Sequence, residues 1–180
     1  DFELYAYTTK SDEDDLTLRI KPMFTRWKSL VGISDKDAAD HIYNDGIHIL
    51  IDLSGHTAKN RLPIFAWKPA PVQISWLGYF ASTGVAEIDY ILGDPYVTPT
   101  KEANHFSEKI WQLPESYICF TEPNVDIDVV SLPALDKKRV TFGCFTKIAR
   151  ITDPVVRVWS EILHAVPTAV LFLKDKYFDT

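Results

Sequence analysis

Two nearly continuous apolar runs, separated by a short mixed passage, set the strongest limit on how this chain folds. They lie in IHILIDLSGHTAKNRLPIFAWKPAPVQISWLGYFASTG, residues 47–84. The first run, Ile47, Ile49, Leu50, Ile51 and Leu53, stops at the small polar turn Ser54-Gly55-His56-Thr57. The second, Val72 to Leu77, stops at Gly78-Tyr79. Apolar runs of this kind predict strands buried on both faces of a parallel sheet, with room for a short helix between them. Ligands of open α/β sheets bind in the crevice beyond the carboxyl ends of the strands. The two glycine-containing loops are therefore the first candidate site.

The flanking chain extends the same pattern. Phe2 to Thr8 alternates as a strand, and the acidic cluster Ser11 to Asp15 predicts a helix start reaching to about Phe24. Ser34 is a good cap for a helix over 35–43, which Asn44-Asp45-Gly46 ends. Lys68-Pro69-Ala70-Pro71 reads as a rigid entry to the Val72 strand, and Thr83-Gly84 as the shaper of the loop that follows it. Ile88 to Leu92 predicts a third buried strand, closed by Gly93-Asp94-Pro95. Thr98-Pro99-Thr100 precedes a helical stretch to about Phe106, and Tyr117 to Phe120 predicts another short strand. Residues 121–138, with two prolines and many acids, lack periodicity and read as a linker. Beyond them, a strand over 139–145, a helix over 153–164 and a strand over 168–174 form a βαβ unit that starts a second parallel sheet.

Composition narrows the function classes. Of 180 residues, 46% are hydrophobic and 13% aromatic, enough for a core and too many for a disordered chain. A net charge of -6 offers no general attraction to nucleic acid or to an anionic membrane. No apolar run approaches the roughly 20 residues of a membrane span. Cys119 and Cys144 sit in the apolar contexts YICF and FGCF and read as reduced core residues, which suits a cytoplasmic protein. His41, His48, His105 and His164 show no metal-ligand spacing, so no metal is assigned. The five tryptophans are scattered and read as core packing. The strand-like FELYAYT at one end and KYFDT at the other read as cuts from a longer protein.

Several segments together resemble one family. DLSGHT (52–57), FAWKPAPVQISWLGYFASTG (65–84), IDYILGDPYVTP (88–99), TFGCFTKIARI (141–151) and VWSEILHAVPTAVLFLK (158–174) are similar to the O-linked N-acetylglucosamine transferase and SPINDLY family, glycosyltransferase family 41. That resemblance implies an α/β chain of GT-B type: a Rossmann-like parallel sheet forming the first lobe, plus the first βαβ unit of the second. The implied domains are 1–122 for the first catalytic lobe without its first strand and loop, 123–138 for the interlobe linker, and 139–180 for the start of the nucleotide-binding lobe. The active site of such enzymes lies in the cleft between lobes, and tetratricopeptide repeats usually precede them.

The implied reaction moves one sugar from a nucleotide-sugar donor to Ser or Thr of a protein acceptor, with inversion and without a required metal or cofactor. N-acetylglucosamine from UDP-GlcNAc is the first reading of the donor, and fucose from GDP-fucose an alternative. By the resemblance Leu77, Gly78 and Tyr79 face the donor sugar, and the Gly78 amide is a donor for a sugar oxygen. Lys147 and Arg150 meet the donor diphosphate, with Arg150 standing where relatives carry Lys. Phe80 stands where relatives usually have Pro. His56 is a second catalytic candidate, because an imidazole at a strand end can bind substrate or move a proton. Asp52, four residues earlier, either orients that imidazole or bonds to amides of its own loop. Two other classes stay open. One is a catalytically incomplete binding module. The other is a hydrolase using Asp52 and His56, which no nucleophile elbow or paired-carboxylate motif supports. Oligomeric state is not legible.

Overall fold

A computed structural model describes residues 2–122 and 124–178. The chain divides into two compact units, residues 1–122 and 123–180.

The first unit holds β1 (Tyr5–Thr8), α1 (Asp15–Ile20), β2 (Arg26–Ser29), α2 (Asp35–Asn44), β3 (Ile49–Asp52), α3 (Leu62–Phe65), β4 (Val72–Ser75), β5 (Tyr90–Gly93) and β6 (Lys109–Gln112). β1 and β2 pair in parallel as a separate ribbon, while β3, β4, β5 and β6 form a four-stranded parallel sheet in chain order. The Asp14 carboxylate caps α1 and the Ser34 hydroxyl caps α2, each accepting from the amide three residues on. The 153–164 helix is equally legible in the sequence, whereas β2 and β6 are not.

The core lies against one face of the sheet. Ala38, Ala39 and Ile42 of α2 and Leu62, Ile64 and Phe65 of α3 pack with Leu50 and Ile88. The expectation of strands buried on both faces fails at β3. Leu50 and Asp52 are buried, but Ile49, Ile51 and Leu53 are 53%, 44% and 57% exposed. β3 is an outer strand of its sheet, and within this unit the packed helices cover only the Leu50 side.

Three further expectations need correction. Residues 117–120 form no strand: the Tyr117 amide donates to Asp94 Oδ2 (3.0 Å), and its carbonyl accepts from the Trp76 indole (2.9 Å). Cys119 is exposed rather than in the core, and Cys144 is half-buried. Trp67 and Trp111 are exposed too.

The second unit holds α4 (Pro133–Lys137), β7 (Thr141–Cys144), α5 (Asp153–Ala165) and β8 (Val170–Leu173), with β7 and β8 in parallel. This is the βαβ unit that periodicity predicts. Among the described residues of segment 121–138, only α4 is regular, and Lys138 ends it in the left-handed region at φ 48°.

Candidate functional site

The site is built where β3 and β4 end side by side. Their register pairs Asp52 with Ser75, so loop 53–57 and loop 76–84 leave the sheet at one edge. Two glycines let the loops interlock. A Cβ on Gly78 would stand 2.1 Å from the Leu53 carbonyl oxygen and 3.0 Å from Ser54 Cα. A Cβ on Gly55 would stand 2.4 Å from Tyr79 Cβ. Only a residue without a Cβ permits backbones this close.

Between them Leu77 takes φ 72°, and the Gly78 amide donates to the Trp76 carbonyl at 3.0 Å. This is the rare γ-turn with positive φ at its centre, a strained conformation for leucine. It corrects one expectation: the Gly78 N–H is engaged within its own turn. At this turn Leu77 is half-buried and Gly78 is exposed. Tyr79 lies edge-on to His56, with centroids 5.7 Å apart, and stacks on Phe80 at 6.0 Å. The three rings form a partly exposed aromatic ledge beside the turn.

Buried carboxylates hold these loops. Asp52 turns to its own loop, with Oδ1 accepting from the Ser54 amide (3.1 Å) and Oδ2 from the Gly55 amide (2.7 Å). The structural reading of Asp52 therefore stands, and the described residues contain no Asp52–His56 hydrogen bond. His56 instead donates from Nε2 to the Ser82 carbonyl at 3.1 Å. Ser82 Oγ in turn donates to Glu108 Oε2 at 2.9 Å, and the Thr83 amide donates to Glu108 Oε1 at 2.7 Å. The Thr83 hydroxyl donates to Glu108 Oε1 as well. Glu108 is only 4% exposed. Its burial by itself would raise the carboxyl pKa, but the Thr83 and Ser82 bonds outweigh that and hold it below its usual value. Asp94, after β5, accepts from the Val97, Tyr96 and Tyr117 amides, which likewise hold its carboxyl low.

Sequence reasoning singled out neither Glu108 nor Ser82. Asp94 carried a usable signal, because Gly-Asp-Pro after a strand announces an Asx-type turn. Glu108 carried none, since it acts on residues 25 and 26 positions upstream.

The remaining predicted residues lie in the second unit, just after β7. Lys147 caps the start of the 3₁₀ turn Ile148–Arg150 and Arg150 is its last residue, and both are exposed. The turn is tied down by the Ile148 amide donating to Asp175 Oδ2 at 2.7 Å and by the Arg150 amide donating to the Lys147 carbonyl at 2.9 Å. Neither cation forms a salt bridge among the described residues. Those residues also contain no group of three or more His, Cys, Asp or Glu placed to hold a metal ion.

Residues 1–124 match the model of the family described as glycosyl transferase family 41. The chain belongs to that family. It is 35% identical over 181 residues to a protein of Oryza sativa subsp. japonica named probable UDP-N-acetylglucosamine--peptide N-acetylglucosaminyltransferase SPINDLY, covering 98% of this chain and 20% of that protein. The Petunia hybrida protein of the same name is 38% identical, with 97% and 19% covered. The transferase named SEC from Arabidopsis thaliana is 32% identical, with 95% and 18% covered. The solved structure titled Thermobaculum terrenum O-GlcNAc transferase mutant - K341M superposes with a TM-score of 0.82 at 32% identity, covering 95% of this chain and 32% of that one. The chain thus spans about a fifth of the length of the curated family 41 relatives it matches. Its mixed α/β architecture with parallel sheets agrees with that neighbour. No helix among the described residues is long and apolar enough to cross a membrane.

Proposed function

We propose that the protein transfers a single sugar from a nucleotide-sugar donor to Ser or Thr hydroxyls of proteins, with inversion, in the cytoplasm. Family membership supports glycosyl transfer, and the names of the relatives support UDP-N-acetylglucosamine as donor and a peptide as acceptor. One observation carries the reading to particular residues: the strained Leu77 turn, locked through Gly78 and Gly55 at the carboxyl edge of parallel strands. Strain of this kind persists where the surrounding structure over-determines it, and it concentrates at ligand sites.

In the proposed mechanism Leu77, Gly78 and Tyr79 form the wall against the donor sugar. The acceptor hydroxyl oxygen attacks the anomeric carbon, the bond from that carbon to the diphosphate oxygen breaks, the diphosphate leaves with the electron pair, and the hydroxyl proton passes to water. Arg150, assisted by Lys147, stabilises the charge that develops there, so side-chain cations take the part a metal ion plays elsewhere. His56 contributes a polar contact to substrate from the neighbouring loop. The 180-residue chain alone binds donor weakly and does not turn over.

The test incubates the full-length protein with UDP-N-acetylglucosamine or GDP-fucose and a Ser/Thr-rich peptide, read by mass spectrometry. Transfer of one sugar is expected, with kcat lowered on the order of 10²- to 10³-fold by Arg150→Ala. Transfer of neither sugar overturns the reading, and unchanged turnover in the variant removes Arg150 from it. Transfer of fucose alone replaces the donor and leaves the reaction class standing.

A further inference from the structure

A carbonyl oxygen can only accept, so the contact from His56 Nε2 to the Ser82 carbonyl identifies the nitrogen that carries the proton. In the neutral ring the other nitrogen, Nδ1, is then a bare acceptor. The Ser82 carbonyl is not held by a strand, because residues 80–84 lie in a loop without regular structure. The peptide unit that carries it, with the Ser82 and Thr83 side chains, is held by a carboxylate from elsewhere in the chain. Glu108 precedes β6, and its two oxygens take the Ser82 hydroxyl, the Thr83 amide and the Thr83 hydroxyl. With its proton given to Glu108, Ser82 Oγ accepts from the Ser107 amide at 3.1 Å and lies 3.0 Å from the Ser107 hydroxyl. The segment before β6 thus grips loop 82–84 through charge-assisted bonds, about twice as strong as neutral ones. Tyr79 meets the imidazole edge-on, as a second constraint on its plane.

We propose that Glu108 is a positioning residue of this site: by fixing Ser82 and Thr83 it holds the Ser82 carbonyl against His56 Nε2–H and leaves His56 Nδ1 as the acceptor for a substrate hydroxyl. The substrate hydroxyl rests on the glycosyl-transfer reading; the state of the imidazole does not. Asp52, the nearer carboxylate in sequence, is excluded from this part because its oxygens hold the Ser54 and Gly55 amides. The arrangement follows a general rule for functional histidines, in which the bond made by one ring nitrogen sets the chemistry of the other.

The experiment is nitrogen-15 NMR of the imidazole side chains in the full chain at mildly alkaline pH. In the wild type, His56 is expected to give a proton-bearing Nε2, a bare Nδ1 and a slowly exchanging Nε2–H. Glu108→Ala is expected to admix the Nδ1–H form and to speed exchange of that proton roughly fivefold to tenfold, the loss of about one hydrogen bond. Glu108→Gln keeps an acceptor for the Thr83 amide and a polar partner for Ser82 Oγ, and is expected to restore most of the wild-type spectrum. Ser82→Ala keeps the carbonyl and removes one of the three bonds from Glu108 to this loop, so it is expected to move the His56 signals in the same direction by a smaller amount, and it supplies the readout if Glu108→Ala does not fold. A wild-type His56 protonated on Nδ1 overturns the proposal. So does an unchanged His56 signal in folded Glu108→Ala or Ser82→Ala. Failure of sugar transfer in the donor panel would strike the reaction and leave these spectra as they are.

Discussion

Replacing Gly78 with alanine separates contact from conformation at this site. Gly78 does not occupy the left-handed region, so alanine meets no backbone penalty there. Its methyl group would nevertheless stand 2.1 Å from the Leu53 oxygen and 2.8 Å from the Leu53 carbonyl carbon. Both are backbone atoms, so no rotamer change relieves the clash, and the loops must part by roughly 1 Å to reach ordinary contact. Overpacking costs about 1–3 kcal/mol, and with a backbone partner the upper end applies. At about 2–4 °C per kcal/mol for a chain of this size, Gly78→Ala is expected to lower Tm by about 6–12 °C. Gly84→Ala is the opposite case: φ is +70° and a Cβ there meets nothing within 4 Å. Its cost is conformational alone, about 1 kcal/mol after the gain from a stiffer unfolded chain. Thermal unfolding followed by circular dichroism measures both variants. A Gly78→Ala shift under about 2 °C, less than 1 kcal/mol, or a larger shift for Gly84→Ala, would refute the interlocked loops. On the proposed glycosyl-transfer reading, the same 1 Å displacement is expected to cost on the order of 10²-fold in turnover.

Stability is expected to fall with acid. The folded-state pKa of Glu108 lies below its ordinary 4.5 and that of Asp94 below 3.8, so the unfolded chain binds protons first. Their contribution is complete above about pH 5 and is lost as pH falls through the folded values, which urea midpoints measured from pH 7 to pH 3 will register. Glu108→Gln should flatten that fall, and an unaltered slope would exclude Glu108 as a source. Arg61 joins three partners: its guanidinium donates to Asp35, to the Leu30 carbonyl at 3.2 Å and to the Ile33 carbonyl at 3.1 Å. Arg61→Ala is expected to cost about 2–3 kcal/mol in urea unfolding, and Arg61→Lys to recover less than half, because an ammonium cannot reproduce the fork. Full recovery by lysine would reduce the interaction to point charge.

The legible parts of this protein are those encoded within a few neighbouring residues. Ser34 before an acidic turn announces α2, and the apolar runs ending in glycine announce β3 and β4. The wide apolar face of 153–164 announces α5. β2 and β6 escaped because each is four residues of mixed polarity, RWKS and KIWQ, without the alternation that marks a half-buried strand. The strand predicted at 117–120 is absent, and at its first residue long-range side-chain bonds from Asp94 and Trp76 occupy both the Tyr117 amide and the Tyr117 carbonyl.

The sequence by itself determined α2, β3, β4 and the βαβ unit of 139–174, the two glycine loops, and the family, since the segments that carry the resemblance span most of the chain. Tertiary structure alone decided which atoms of the site remain available. The Gly78 amide is taken by Trp76, Asp52 by its own loop, and His56 Nε2 by Ser82, while Glu108 enters from before β6. The reason is geometric. Propensity and periodicity act over a handful of residues, whereas the free lone pairs and protons of a loop depend on parallel register, here Asp52 against Ser75. That register sets residues 53–55 against 78–79, a contact that no local pattern specifies.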